Sequence, residues 1–193
     1  GWKGGIGTSS RVVEVSGGAS GPPGPPGAAQ TRERFAVGVL VQTNYGGTLR
    51  IDGVPVGEGL AELGLTDAGA AGRADRDGSV MIVLATDAPL AHRELKRLAE
   101  RAFLGIARTG SSMSHGSGDY AIAFSTGEGE GRRDGGLLSA LFEAAVEATE
   151  EAVVNSLFRA TSVTGHGGRT AAALPLEPTL DLLRRRGALR PPP

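Results

Sequence analysis

The chain has 193 residues, 39% hydrophobic but only 4% aromatic, enough for one well-buried domain with a core of aliphatic residues and alanine. Its formal net charge of −1 excludes a global field that would favour nucleic acid or an anionic membrane, and the absence of cysteine excludes disulfides and thiolate metal sites. No apolar run approaches the roughly 18–20 residues needed to span a bilayer. No signal-peptide pattern follows Gly1, so the expected location is cytoplasmic, with a periplasmic one left open because the start reads as a truncation.

Thirty-two glycines and 11 prolines bring the composition close to low complexity, but the glycine-rich stretches alternate with strand and helix patterns and read as tight loops. Residues 11–15 are a short β-branched run. The segment Gly21-Pro22-Pro23-Gly24-Pro25-Pro26-Gly27 has too few triplets for collagen and reads as a surface loop of polyproline character. Residues 34–43 read as a mostly buried strand, Asn44-Tyr45-Gly46-Gly47 as a turn, and 48–51 as a second strand. Asp52-Gly53 is a hairpin signal. Residues 57–78 look like an exposed loop, after which Ser79 opens a buried strand that runs to Thr86.

Asp87 reads as a helix cap and Pro89 as a first-turn residue. The helix they introduce repeats Leu95, Leu98, Ala102 and Ile106 at helical spacing and ends at Gly110. A small-residue loop over 111–118 leads to a strand over 120–126. A polar glycine loop, a long helix from Leu137 to about Ala160, a loop around His166 and a last helix over 178–186 complete the chain. The pattern predicts a layered α/β or α+β fold. The strand–helix–strand unit between 79 and 126 is either a parallel crossover or a helical excursion between antiparallel strands.

His92, His115 and His166 lack partners at metal-ligand spacing, so no metal site is expected. The stretch from Lys3 to Ser10 resembles a phosphate loop but lacks the Gly-Lys-Ser/Thr ending. On spacing alone Ser117, between Gly116 and Gly118, is a loop serine. Ser79 is also, on pattern alone, a serine at a strand start. Yet an exposed loop, a glycine and then Ser79 at the head of a buried strand is what an N-terminal nucleophile requires. The hydroxyl would attack the Gly78 carbonyl, form an ester and leave a free amine on hydrolysis. That amine, with a pKa near ~8, can serve as general base for the same hydroxyl.

Four ordered blocks carry a resemblance over nearly the whole chain: residues 39–46, 77–90, 107–119 and 155–161. They resemble the L-aminopeptidase/D-esterase (DmpA-type, β-aminopeptidase) family of self-processing serine peptidases. The resemblance implies an N-terminal-nucleophile-like αββα sandwich. The chain would be the C-terminal part of one such domain, with 1–78 ending the first product chain and 79–193 forming the second. It implies Ser79 as nucleophile, Ser117 orienting it, Asp119 holding the new ammonium, and Asn44 as oxyanion donor, a role worth roughly 3–4 kcal/mol. It implies no cofactor, a homo-oligomer, and small peptides, amino-acid amides or esters as substrates. Family members continue upstream of Gly1 and draw part of their substrate pocket from there. Two alternatives stand beside the peptidase. One is an acyltransferase of the ornithine acetyltransferase kind, which uses a threonine nucleophile. The other is an inactive fragment.

Overall fold

The computed structural model describes residues 2–16, 32–66, 78–129 and 135–189. Strands β1 (Ile6–Ser16), β2 (Arg32–Asn44), β3 (Ser79–Thr86) and β4 (Tyr120–Ser125) form one sheet in that spatial order. The first three pair antiparallel, and β4 lies parallel to β3. Helix α2 (His92–Arg108) is therefore a crossover, which decides between the two readings of the 79–126 unit.

The alternation in β2 and β3 sorts the side chains between two faces. Val37, Val39, Val41, Val80, Ile82 and Leu84 are buried beneath α2 and α3 (Gly135–Phe158). Helix α3 packs on β1 and β2, and α2 on α3 and β4. Two glycines allow this close layering. A Cβ on Gly7 in β1 would collide with the Ala152 carbonyl of α3, and one on Gly105 in α2 would lie 2.6 Å from the Val146 carbonyl oxygen. A second cluster, built on Ile51, Val56, Leu60, Leu174 and Leu183, joins the short α1 (Val56–Glu62) and α4 (Leu176–Arg185) to the C-terminal end of α3.

The opposite face of the sheet is uncovered and apolar. Leu40, Met81, Tyr120, Ile122 and Phe124 lie on it, with Tyr120 and Ile122 more than 60% exposed. The α/β class agrees with the sequence reading. Besides a short two-stranded pairing of Val163–Thr164 with Thr170–Ala171, the described residues supply one four-stranded sheet and one helical layer of the expected sandwich, and the apolar face is where a second sheet would pack.

Several local readings change. Residues 48–51 form no sheet strand: Thr48 and Arg50 donate backbone N–H bonds to Gly110 and Thr109, and only Ile51 bridges to Val54 around the Asp52-Gly53 turn. Both turn residues have positive φ, as that hairpin type demands. Residues 56–62 are helical rather than loop; Gly57 and Gly59 weaken the helical signal there because the backbone of Leu49 and the side chain of Leu182 press on them. Asp87 is not a cap, since its carboxylate accepts the Ala36 N–H at 2.8 Å and α2 begins five residues later. The Pro-rich segment and the 67–77 stretch before Gly78 lie outside the described residues.

Gly105→Ala tests the layering. An exposed helix position would gain up to about 1 kcal/mol from this change, but here the new methyl must displace a backbone carbonyl. Denaturant unfolding is expected to show a net loss of roughly 1–3 kcal/mol. Unchanged or increased stability would contradict the close α2–α3 contact.

Candidate active site

Ser79, Asn44 and Asp119 meet at one end of β3, with Ser117 in the segment that leads into β4; the register puts Asn44 and Ser79 on the uncovered side. Ser79 is the first residue of the strand and is half-buried, while Gly78 before it is buried. This corrects the expected exposure at Gly78, the last residue of the loop expected over 57–78. Gly78 is buried by backbone: an added Cβ would lie 2.7 Å from Tyr45 Cα and 2.9 Å from the Asn44 carbonyl oxygen. Only glycine fits there.

Asn44 ends β2 and pairs directly with Ser79. Directly opposed residues on antiparallel strands point to the same face, with Cβ atoms about 4.5–5.5 Å apart. The register thus sets the Asn44 amide and the Ser79 hydroxyl side by side on the open face. The Ser79 hydroxyl donates to the Gly78 carbonyl oxygen at 2.7 Å. The same oxygen accepts the Gly118 N–H at 3.1 Å. On the β4 side, an Asp119 carboxylate oxygen accepts the Val80 N–H at 3.0 Å, which fixes the acid beside Ser79. Ser117 lies in the same segment, half-buried. Its N–H donates to the Ser114 carbonyl, and among the described residues its hydroxyl makes no bond to Ser79.

Hydroxyls behind the strand ends hold this corner. Thr109 donates its hydroxyl to the Ile106 carbonyl at 2.7 Å, so Tyr45 is the donor in the 2.8 Å contact between the two hydroxyls. Burial pushes the Tyr45 phenol up to about 12, reinforced by the charge of Asp119. Thr43 accepts the Gly5 N–H and meets the buried Ser156 hydroxyl at 2.9 Å, while Asn155 donates to the Thr8 carbonyl. Two of the four recognised blocks gain their reason here: Thr109-Gly110 and Asn155-Ser156 fasten helix ends to the strands that carry the site. A cavity of about 1100 Å³ opens beside Asn44, lined by Trp2, Lys3, Tyr45, Glu58 and Leu157 among others.

The three histidines are exposed. Reading the residues alone missed Tyr45 and the backbone of Gly118. The first had a signal in its adjacency to Asn44, the second in the glycine flanking Ser117.

The profile of peptidase family S58 matches residues 1–171. Beta-peptidyl aminopeptidase BapA of Sphingosinicella microcystinivorans is 43% identical over 196 residues, covering 91% of this chain and 46% of the relative. The same-named enzyme of Sphingosinicella xenopeptidilytica is 38% identical over 205 residues, covering 96% and 47%. Among solved structures, the L-aminopeptidase D-Ala-esterase/amidase of Ochrobactrum anthropi, described as a variant of the Ntn hydrolase fold, superposes with a TM-score of 0.77 at 36% identity. That match covers 98% of this chain and 50% of the solved one. The chain spans about half the length of the relatives it matches.

The Tyr45 strut gives a pH-dependent prediction. A phenol raised from 10 to about 12 on folding stabilises the protein fully below pH 10 and loses that contribution as pH rises toward 12. Unfolding measured across this window is expected to show the parent losing on the order of 2 kcal/mol that Tyr45→Phe does not lose. Parallel profiles would refute the buried donor.

Proposed function

The chain belongs to peptidase family S58, and from that premise we propose that it carries the nucleophile half of a self-processing serine aminopeptidase. Ser79 cuts the chain after Gly78. As a new N-terminus it then removes N-terminal residues from small peptides, amino-acid amides or esters. The observation that carries this reading is the Ser79 hydroxyl 2.7 Å from the oxygen of its own preceding carbonyl. A serine merely starting a strand has no need of a buried glycine ahead of it, or of a second donor on that carbonyl.

In the mature enzyme the Ser79 amine is the general base. Its reference pKa near ~8 leaves a useful free-base fraction at neutral pH. Asp119, held by the Val80 N–H, is adjacent to that amine, and its charge raises the amine pKa and orients the ammonium. Asn44, opposite Ser79 in the register, donates to the oxyanion formed when the hydroxyl attacks a substrate carbonyl. Ser117, in the segment that touches the nucleophile, completes the set by orienting the hydroxyl. The acyltransferase alternative receives no support, since the matched family and relatives are peptidases.

Intact-mass analysis of the full-length gene product is expected to show two chains meeting at Gly78–Ser79, and one uncut chain for Ser79→Ala. A parent that never cuts removes the mechanism. The processed protein should turn over aminoacyl p-nitroanilides and leave acetyl-ornithine untouched. Asp119→Asn should move the acidic limb of the kcat/KM profile about one pH unit lower, because the amine loses the neighbouring negative charge. An unmoved limb would remove Asp119 from that role.

A further inference from the structure

We propose that self-cleavage and substrate turnover rely on different oxyanion donors: the Gly118 backbone N–H for the Gly78 carbonyl during processing, and the Asn44 amide only for the later reaction. This rests on the self-processing reading above.

The direction of the Gly78 carbonyl is the starting observation. Strand β3 has β2 on one side and β4 on the other, and the Gly78 oxygen accepts the N–H of Gly118, two residues ahead of β4. The bond continues the β3–β4 ladder beyond its first pair, Met81 with Tyr120. Asn44 lies across the strand, on β2, and its own backbone closes the β2 side of Gly78. Among the described residues the Gly78 oxygen takes two donors, the Ser79 hydroxyl and the Gly118 N–H, and the Asn44 side chain is neither.

The chemistry then separates those two donors. Ser79 Oγ attacks the Gly78 carbonyl carbon, an Oγ–C bond forms, and the carbonyl oxygen becomes an oxyanion. The C–N bond to Ser79 breaks, and the nitrogen receives the proton the hydroxyl gives up. Water then hydrolyses the ester, leaving the Gly78 carboxylate and the Ser79 amine. Once Oγ is the attacking atom it can no longer donate to the oxygen beside it. The Gly118 N–H is the donor that stays in line as charge develops, and strand pairing has already fixed it. A preorganised donor of this kind is typically worth about 10²–10³-fold in rate. Glycine also suits position 118 because a Cβ there would come within 3.3 Å of the nucleophile.

The test is a cell-free translation time course of the full-length gene product, following the chain that begins at Ser79 by mass. Nonsense suppression with glycolic acid at position 118 replaces the amide by an ester and removes only the N–H. This chain should mature roughly 10²-fold more slowly. Asn44→Ala should mature within about threefold of the parent, yet lose on the order of 10²–10³-fold in aminoacyl p-nitroanilide turnover. Parental maturation of the ester chain, or an Asn44→Ala chain that stays uncut, overturns the assignment. If the ester chain fails to fold, the Asn44→Ala arm alone decides. A parent that stays intact overturns the self-processing reading and this assignment with it, whereas a parent that matures beside an uncut Asn44→Ala chain overturns the assignment only.

Discussion

The candidate site depends on the packing of one peptide group, the one between Gly78 and Ser79. The Asn44–Tyr45 backbone presses on Gly78 so closely that no side chain fits, and the Gly118 N–H fixes its carbonyl from the other side. A β-strand directs successive carbonyls to opposite neighbours. The position of β3 between β2 and β4 therefore decides what can reach this oxygen. The hydroxyl, the backbone donor and the opposed Asn44 amide are all consequences of that register.

Register needs fixed neighbours, and buried hydroxyls provide them. Thr43 meets Ser156 of α3, and Tyr45 bonds Thr109 at the end of α2. These contacts bracket Asn44 in sequence, so each flank of the residue is tied to a different helix. Such pairs contribute modestly to net stability, about 1 kcal/mol each, but leaving one partner unsatisfied costs more. Their effect is positional. The close approach of α3 at Gly7 and Gly105 brings the helices near enough for short side chains to make these bonds.

The site opens on the uncovered face of the sheet, beside Met81 and Tyr120. One face of a strand carries the core of this half-length chain. The other presents both the chemistry and an apolar surface.

The repeating patterns were legible in the sequence. Apolar runs gave β2 and β3 as buried strands, although only one face of each is buried; helical spacing gave α2 and α3, and Asp52-Gly53 gave its turn. Each depends on residues close in the chain. Ser79, Asn44, Ser117 and Asp119 were legible within three of the four ordered blocks, and the fold brings Ser79, Asn44 and Asp119 to one strand end with Ser117 in the adjoining segment. The α1 helix was hidden because its glycines are chosen for Leu49 and Leu182, which are distant in sequence. Asp87 misled for the same reason: its carboxylate serves Ala36 on another strand. By itself the sequence determined where the main strands and helices run, where the Asp52-Gly53 turn falls, and which family blocks are present. Only the tertiary structure decided that β4 runs parallel to β3, that Gly78 is buried, and that its carbonyl faces Gly118, because strand order and close backbone packing are set by contacts between distant segments that no local pattern encodes.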